Sequence, residues 1–154
     1  MSVLDMFLPC FYAFFACCAY CVLFNIRGSG MLICSLGGSL AWLVYLLAAL
    51  ITTSDILQYF WAAVFLSAYS EVMSRVRKCP VTGYQLLAFI PLVPGAGIYK
   101  TMEYCINGET DLFVSTGVHT LGISGALALG VLLVSSIVRM YYTFRNKRKI
   151  AKLG

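Results

Sequence analysis

The 154 residues of this chain are 61% hydrophobic and only 11% charged, with a mean hydropathy of +0.88. About a quarter of the residues in a soluble domain are charged, so this composition excludes an ordinary soluble globular domain. We therefore expect an all-α integral membrane protein, with the lipid bilayer as its surroundings and no nucleic-acid partner.

Apolar runs separated by short polar turns predict five transmembrane helices, because a helix needs about 20 apolar residues to cross a bilayer. The predicted spans form one membrane domain over residues 1–140 and cover residues 3–24, 30–50, 55–75, 81–106 and 112–138. Residues 141–154 follow as a basic cytoplasmic tail. Such a chain has no room for an extramembrane catalytic domain.

The fourth predicted span carries two prolines and two glycines near its middle, between Pro91 and Gly97. Proline removes a backbone donor and disfavours helical geometry in the residue before it, so regular helix is not expected from Leu92 to Gly95. Irregular backbone at membrane depth is tolerated only where it is buried in protein or lines a cavity, and broken helices of this kind form substrate sites in transporters. We therefore predict that the fourth helix is broken at Pro91–Gly97 and that this break is the functional centre.

The half-helix after the break is predicted to offer the free amides of Gly95, Ala96 and Gly97 and the positive end of its dipole to a substrate carboxylate. The predicted substrate-binding residues lie in the break or just after it, and are Pro91, Pro94, Gly95, Ala96, Gly97, Tyr99 and Lys100. Lys100 has two alternatives, since its long side chain could meet the carboxylate or extend toward the membrane surface.

Ionisable side chains inside the predicted spans are candidates for proton coupling or gating, and they are Glu71, Arg75, Glu103 and His119. Glu71 and Arg75 are four residues apart, so they share a helix face and form either an interfacial salt bridge or a gate below the break. His119 either relays protons or donates a hydrogen bond to a carbonyl of a neighbouring helix.

Basic residues are distributed unevenly between the two faces of the five-span arrangement. All but one of the 11 Lys and Arg residues fall on one face, and the exception is Lys100. Because Lys and Arg near span ends stay on the cytoplasmic side, we expect a cell-membrane protein with its N-terminus outside and its C-terminus in the cytoplasm.

The seven cysteines include the pair Cys18 and Cys21 at CxxC spacing. An odd number gives no disulfide framework, and no second CxxC or histidine cluster completes a metal site, so the thiols are interpreted as packing groups. The sequence also lacks the motifs of hydrolytic nucleophiles, catalytic zinc and nucleotide binding. We expect no metal, no cofactor and no enzyme activity.

Several short motifs together resemble one transporter family. They are Phe24-Asn25, Gly37-Gly38, Tyr69-Ser70-Glu71 with Arg75 and, most specifically, the run Ile90–Tyr99 with Met102. Over most of residues 10–140 the chain resembles the small five-span half of the threonine/serine exporter family.

The resemblance implies secondary, proton-coupled export of small polar acids, either threonine and serine or a dicarboxylate such as succinate. It also implies a hetero-oligomer with a larger membrane subunit, because the family occurs as one fused chain or as two separate proteins. The alternatives are a non-transporting structural or channel subunit of another membrane complex, and a small intramembrane enzyme.

Overall fold

The computed structural model describes residues 3–77 and 81–150, with side chains from Phe7 to Arg77 and from Val81 to Arg145. All regular structure in these ranges is helical, which confirms the predicted all-α class. The helices are α1 (Val3–Leu23), α2 (Ser29–Ile51), α3 (Asp55–Arg77), α4 (Val81–Phe89), a short 3-10 helix (Ile90–Leu92), α5 (Gly95–Asn107) and α6 (Thr110–Ile150). Residues 78–80 of the predicted basic turn and residues 151–154 of the predicted tail lie outside the described part of the chain.

Within the described residues, α2 and α6 are long and apolar enough to cross a membrane, and α4 with α5 forms a third candidate if the bent pair is one span. In α1 the apolar segment Phe7–Leu23 is shorter than 18 residues. Polar side chains lower the apolarity of α3, among them Gln58, Glu71 and Arg75. Length and apolarity therefore support two or three spans and do not establish all five.

Left-handed residues end two of the helices and reverse the chain. Asn25 follows α1 with a φ of 56°, and the N–H of Ile26 donates to the carbonyl of Cys21 at 2.9 Å. Gly108 closes α5 in the same backbone region with a φ of 76°. Such turns suit glycine and asparagine, and they lay α1 against α2 and α5 against α6.

The core lies around α3, which packs against α2, α4 and α6. Its buried members are mostly small or aliphatic, and they are Ala41, Ala62, Ala63, Leu66, Ala88, Leu92, Ile123 and Leu127. Small residues let helix axes approach closely, so that dispersion forces hold the helices together where lipid offers no hydrophobic drive. Helix α6 lies close to α3 at Gly130, where an added Cβ would lie 2.8 Å from the Cβ of Ala63 and 3.1 Å from the carbonyl oxygen of Phe60.

Helix α6 runs for 41 residues without interruption. At 1.5 Å per residue it is about 60 Å long, roughly twice the thickness of a hydrocarbon core. The predicted boundary between the fifth span and the tail, at residues 138–141, lies inside this one continuous helix.

The break between α4 and α5 as the candidate site

The chain changes direction between α4 and α5 over a short non-α-helical segment. The 3-10 helix Ile90–Leu92 leads to Val93 in an extended conformation and to Pro94 with φ −76° and ψ 57°, and the two α-helices are bent by 55°. The predicted range Pro91–Gly97 is too long, because Gly95 already begins α5. Proline is well suited to the position just before a helix, where its missing N–H leaves no intrahelical bond unmade.

The first amides of α5 are not equivalent. The N–H of Gly95 donates to the carbonyl of Val93 at 2.7 Å, and the N–H of Ile98 donates to the carbonyl of Pro94 at 3.1 Å. Between them, the amides of Ala96 and Gly97 find no backbone acceptor in the described part of the chain. The prediction of three free amides is therefore wrong at Gly95, and two donors remain at this helix start.

Gly97 lies against α6, whereas Gly95 is open. A Cβ added at Gly97 would lie 2.6 Å from the Oγ1 of Thr120, while one added at Gly95 would meet no atom within 4 Å. The Oγ1 of Thr101 donates to the carbonyl of Gly97 at 2.8 Å, which gives that turn a further hydrogen bond. One side of the α5 N-terminus is thus fixed to α6, and the other side is free.

The break itself is anchored on α2 by two adjacent glycines. A Cβ added at Gly38 would overlap the Sγ of Cys17 and would lie 3.6 Å from the Cγ of Pro91. At Gly37 an added Cβ would lie 2.7 Å from Cε1 of Tyr69. The hydroxyl of Tyr69 donates to the carbonyl of Ile33 at 3.0 Å, and Leu92 is fully buried, so the break is packed into the core on the α2 side.

Four predicted site residues form one uncovered face of α5. Ala96, Tyr99, Lys100 and Glu103 have the i, i+3, i+4, i+7 spacing of a single helix face, and all four are exposed. Within the described chain α5 packs only against α6, and Tyr99 is 70% exposed. The structure thus places these side chains together, on the side of α5 that faces away from the bundle.

The candidate proton-coupling residues are separated along the bundle. Glu71 and Arg75 form an ion pair of 2.8 Å near the end of α3, and His119 lies 3.8 Å from the carboxylate of Asp55 at the beginning of α3. Asp55 and Glu71 are about 24 Å apart along the helix, at 1.5 Å per residue. Sequence reasoning missed Asp55 as the neighbour of His119, since 64 residues separate the two in the chain.

A small cavity lies on the other side of the break. It has a volume of about 330 Å³, and its walls include Tyr12, Trp42 and Pro91. The buried indole Nε1 of Trp42 has no hydrogen-bond partner among the described residues, and neither has the hydroxyl of Ser70. No sequence signal pointed to these two groups, because burial of one polar atom depends on the packing of several helices.

The cysteines lie mainly between α1 and α2. Cys21 and Cys34 are buried in one cluster, and the Sγ of Cys18 lies 3.0 Å from the Oγ of Ser35. Cys17 donates to the carbonyl of Leu87 at 3.6 Å. The described residues contain no cluster of three or more ligand side chains suited to a metal ion.

The family model of the threonine/serine exporter, ThrE, matches residues 9–137. This range includes the break, the α2 glycines that pack against it, the Glu71–Arg75 ion pair and the Asp55–His119 contact. The chain belongs to the threonine/serine exporter family. Searches of curated proteins and of solved structures returned no match. In this exporter-family chain, the motif residue Asn25 ends α1. The other motif residues pack the break against the neighbouring helices, and they are Gly37, Gly38 and Tyr69.

Proposed function

We propose that this chain is one subunit of a secondary, proton-coupled exporter of small polar acids, and that the break between α4 and α5 is its substrate site. The observation that carries the proposal is the start of α5, where the amides of Ala96 and Gly97 lack backbone acceptors beside an uncovered polar face. Together with membership of an exporter family, this favours a transporter over a structural or channel subunit.

The amides of Ala96 and Gly97 would hold the substrate carboxylate. A helix N-terminus contributes about 0.3–2 kcal/mol to such an interaction, which orients an anion but does not select among serine, threonine and succinate. Lys100 and Glu103 follow on the same face as Ala96 and carry opposite charges. Lys100 would add attraction for the carboxylate, and Glu103 would attract an ammonium group but repel a second carboxylate. This pattern favours a zwitterionic amino acid over a dicarboxylate as the substrate.

A partner subunit would complete the site. Charged side chains are costly in lipid, and the face with Lys100 and Glu103 has no neighbour in the described chain. We propose that the larger family subunit covers this face in a hetero-oligomer, with the substrate between the two subunits near the middle of the membrane. Alternating access would then move the two subunits about the break, while the buried Leu92 keeps the break attached to the core.

The Glu71–Arg75 ion pair and the Asp55–His119 contact are proposed to act as gates at opposite ends of the bundle. If the chain takes the five-span topology with its N-terminus outside, Asp55 and His119 would lie toward the outside, and Glu71 and Arg75 would lie toward the cytoplasm. Protonation of His119 would strengthen its attraction to Asp55, so this pair could respond to the proton gradient across the cell membrane.

Reconstitution with the larger family subunit tests the proposed function. Proteoliposomes that contain both proteins should export threonine or serine saturably under a proton gradient, and liposomes with this chain alone should not. Replacing Pro94 and Gly95 together by alanine should favour continuous helix and abolish export without preventing membrane insertion or subunit assembly.

Gly125→Ala serves as the matched control, since an added Cβ at Gly125 meets no atom within 4 Å. Its export should equal that of the parent. Parental export by the Pro94 and Gly95 variant would refute the break as the site, and an absence of gradient-driven flux for every amino acid and dicarboxylate in a panel would favour a structural subunit.

A further inference from the structure

The end of α3 and the C-terminal part of α6 form a second polar site, distant from the break. A cavity of about 430 Å³ lies between these helices, and its lining includes Glu71, Arg75, Ser135, Arg139, Tyr142 and Thr143. Ser135 to Thr143 lie where the apolar part of α6 passes into its basic end. Such a position on a membrane helix coincides with the level of lipid headgroups.

Arg75 is held in a defined orientation at this cavity. Its Nη2 donates to the Oε2 of Glu71 at 2.8 Å, and its guanidinium carbon lies 3.8 Å from the centroid of the Tyr142 ring. The ring contact joins α3 to α6 and fixes the plane of the guanidinium group, which is a cation–π arrangement. Because a guanidinium has five N–H donors, the bond to Glu71 leaves further donors for a ligand.

The charge of the cavity is positive. Arg75 and Arg139 outnumber the single carboxylate of Glu71, and the hydroxyls of Ser135 and Thr143 add polar groups to the wall. Arginine binds phosphate with two parallel hydrogen bonds, a geometry that lysine does not offer. Arg145, two residues after Thr143, adds another positive charge near this end of α6.

An apolar stripe runs beside the cavity along the same turns of α6. Ile137, Met140, Tyr141 and Phe144 are all exposed and line a neighbouring groove of about 520 Å³. A ligand with one anionic phosphate and adjoining hydrocarbon chains would match both surfaces. We propose that Arg75 and Arg139 bind the phosphate of an anionic phospholipid headgroup, with its acyl chains on the apolar stripe. This proposal requires the membrane setting but not the transport activity.

Binding of a short-chain phosphatidylglycerol to the detergent-solubilised full chain tests the inference, with phosphatidylcholine and glycerol phosphate as the comparison ligands. Phosphatidylglycerol should bind at least about tenfold more tightly than either, because one lacks net charge and the other lacks acyl chains. Equal binding of phosphatidylcholine would overturn the anionic site, and equal binding of glycerol phosphate would show a site for soluble phosphates instead.

Substitutions locate the site. The double variant with Arg75→Gln and Arg139→Gln should weaken phosphatidylglycerol binding by about tenfold or more, since each substitution removes charge-assisted hydrogen bonds to the phosphate. Arg27→Gln removes one positive charge at an exposed position outside both the cavity and the groove, and should change the affinity by less than about twofold. Equal losses in the two variants would show a diffuse charge effect and overturn the proposal.

Glu71→Gln provides a test in which the expected result is a gain, not a loss, of affinity for phosphatidylglycerol. It removes the competing carboxylate and releases Arg75, so the affinity for phosphatidylglycerol should rise several-fold. A misfolded protein would not bind more tightly, so this gain supports the site even if the double arginine variant fails to fold. Unchanged or weaker binding by folded Glu71→Gln would overturn the role of Arg75.

Discussion

Gly38→Ala is expected to disturb the packing of the break against α2. The added Cβ would overlap the Sγ of Cys17, and it would also lie 3.4 Å from the carbonyl oxygen of Ala88 and 3.6 Å from the Cγ of Pro91. Cys17 is fully buried and already contacts the carbonyl of Leu87, so its side chain has little room to rotate away. Either α1 or the segment with Pro91 must move.

The expected magnitude follows from two opposing effects. Overpacking a well-filled interior costs about 1–3 kcal/mol, whereas alanine in place of glycine within a helix contributes about 0.5–1 kcal/mol of stability. Gly38→Ala should therefore lower the free energy of unfolding by about 1 kcal/mol, and by no more than about 2.5 kcal/mol. Cys17→Ala removes the overlapping sulfur, so the double variant should regain most of the loss caused by Gly38→Ala, measured against Cys17→Ala alone.

The assay is reversible unfolding of the purified chain in mixed micelles, followed by circular dichroism, for the parent, both single variants and the double variant. Gly125→Ala is the matched control and should be neutral or slightly stabilising, because an added Cβ there meets no atom within 4 Å. Export by the reconstituted pair should fall in Gly38→Ala and recover with Cys17→Ala. If Gly38→Ala lowers the free energy of unfolding equally in the parent and in Cys17→Ala, the contact with Cys17 does not limit the packing, and the explanation is refuted.

Gly97→Ala should separate α5 from α6 and lower stability by about 1–3 kcal/mol, whereas Gly95→Ala should cost less because no atom lies near its added Cβ; equal unfolding free energies would contradict this difference. A cysteine-accessibility scan should label the predicted outer residues 51–55 and 107–111 from outside and the predicted inner residues 76–80 and 146–154 only after permeabilisation, and the reverse pattern would rule out the five-span topology. Cys18→Ala with Cys21→Ala should leave export by the reconstituted pair nearly unchanged if these thiols only pack, and loss of export at normal protein levels would assign them a role.

Much of the architecture could be predicted from local sequence. Apolar runs gave helices whose bounds match within a few residues, with the exception of α6, where helix continues into the predicted basic tail to Ile150. The position of the break was predictable because Pro91 and Pro94 act on the backbone next to them. Its end at Pro94, and the hydrogen bond that occupies the Gly95 amide, were not predictable from residue types alone.

The sequence by itself determined the helical class, the existence of the break and the concentration of basic residues near one set of helix ends. Those properties depend on hydropathy, charge and proline, which act within a few residues along the chain. Only the tertiary structure decided which distant groups meet, as in the contacts of Gly38 with Cys17, of Gly97 with Thr120, and of Arg75 with Tyr142. These partners are tens of residues apart, and their contact depends on where the helix axes cross, which is set by the shapes of all the packed side chains together.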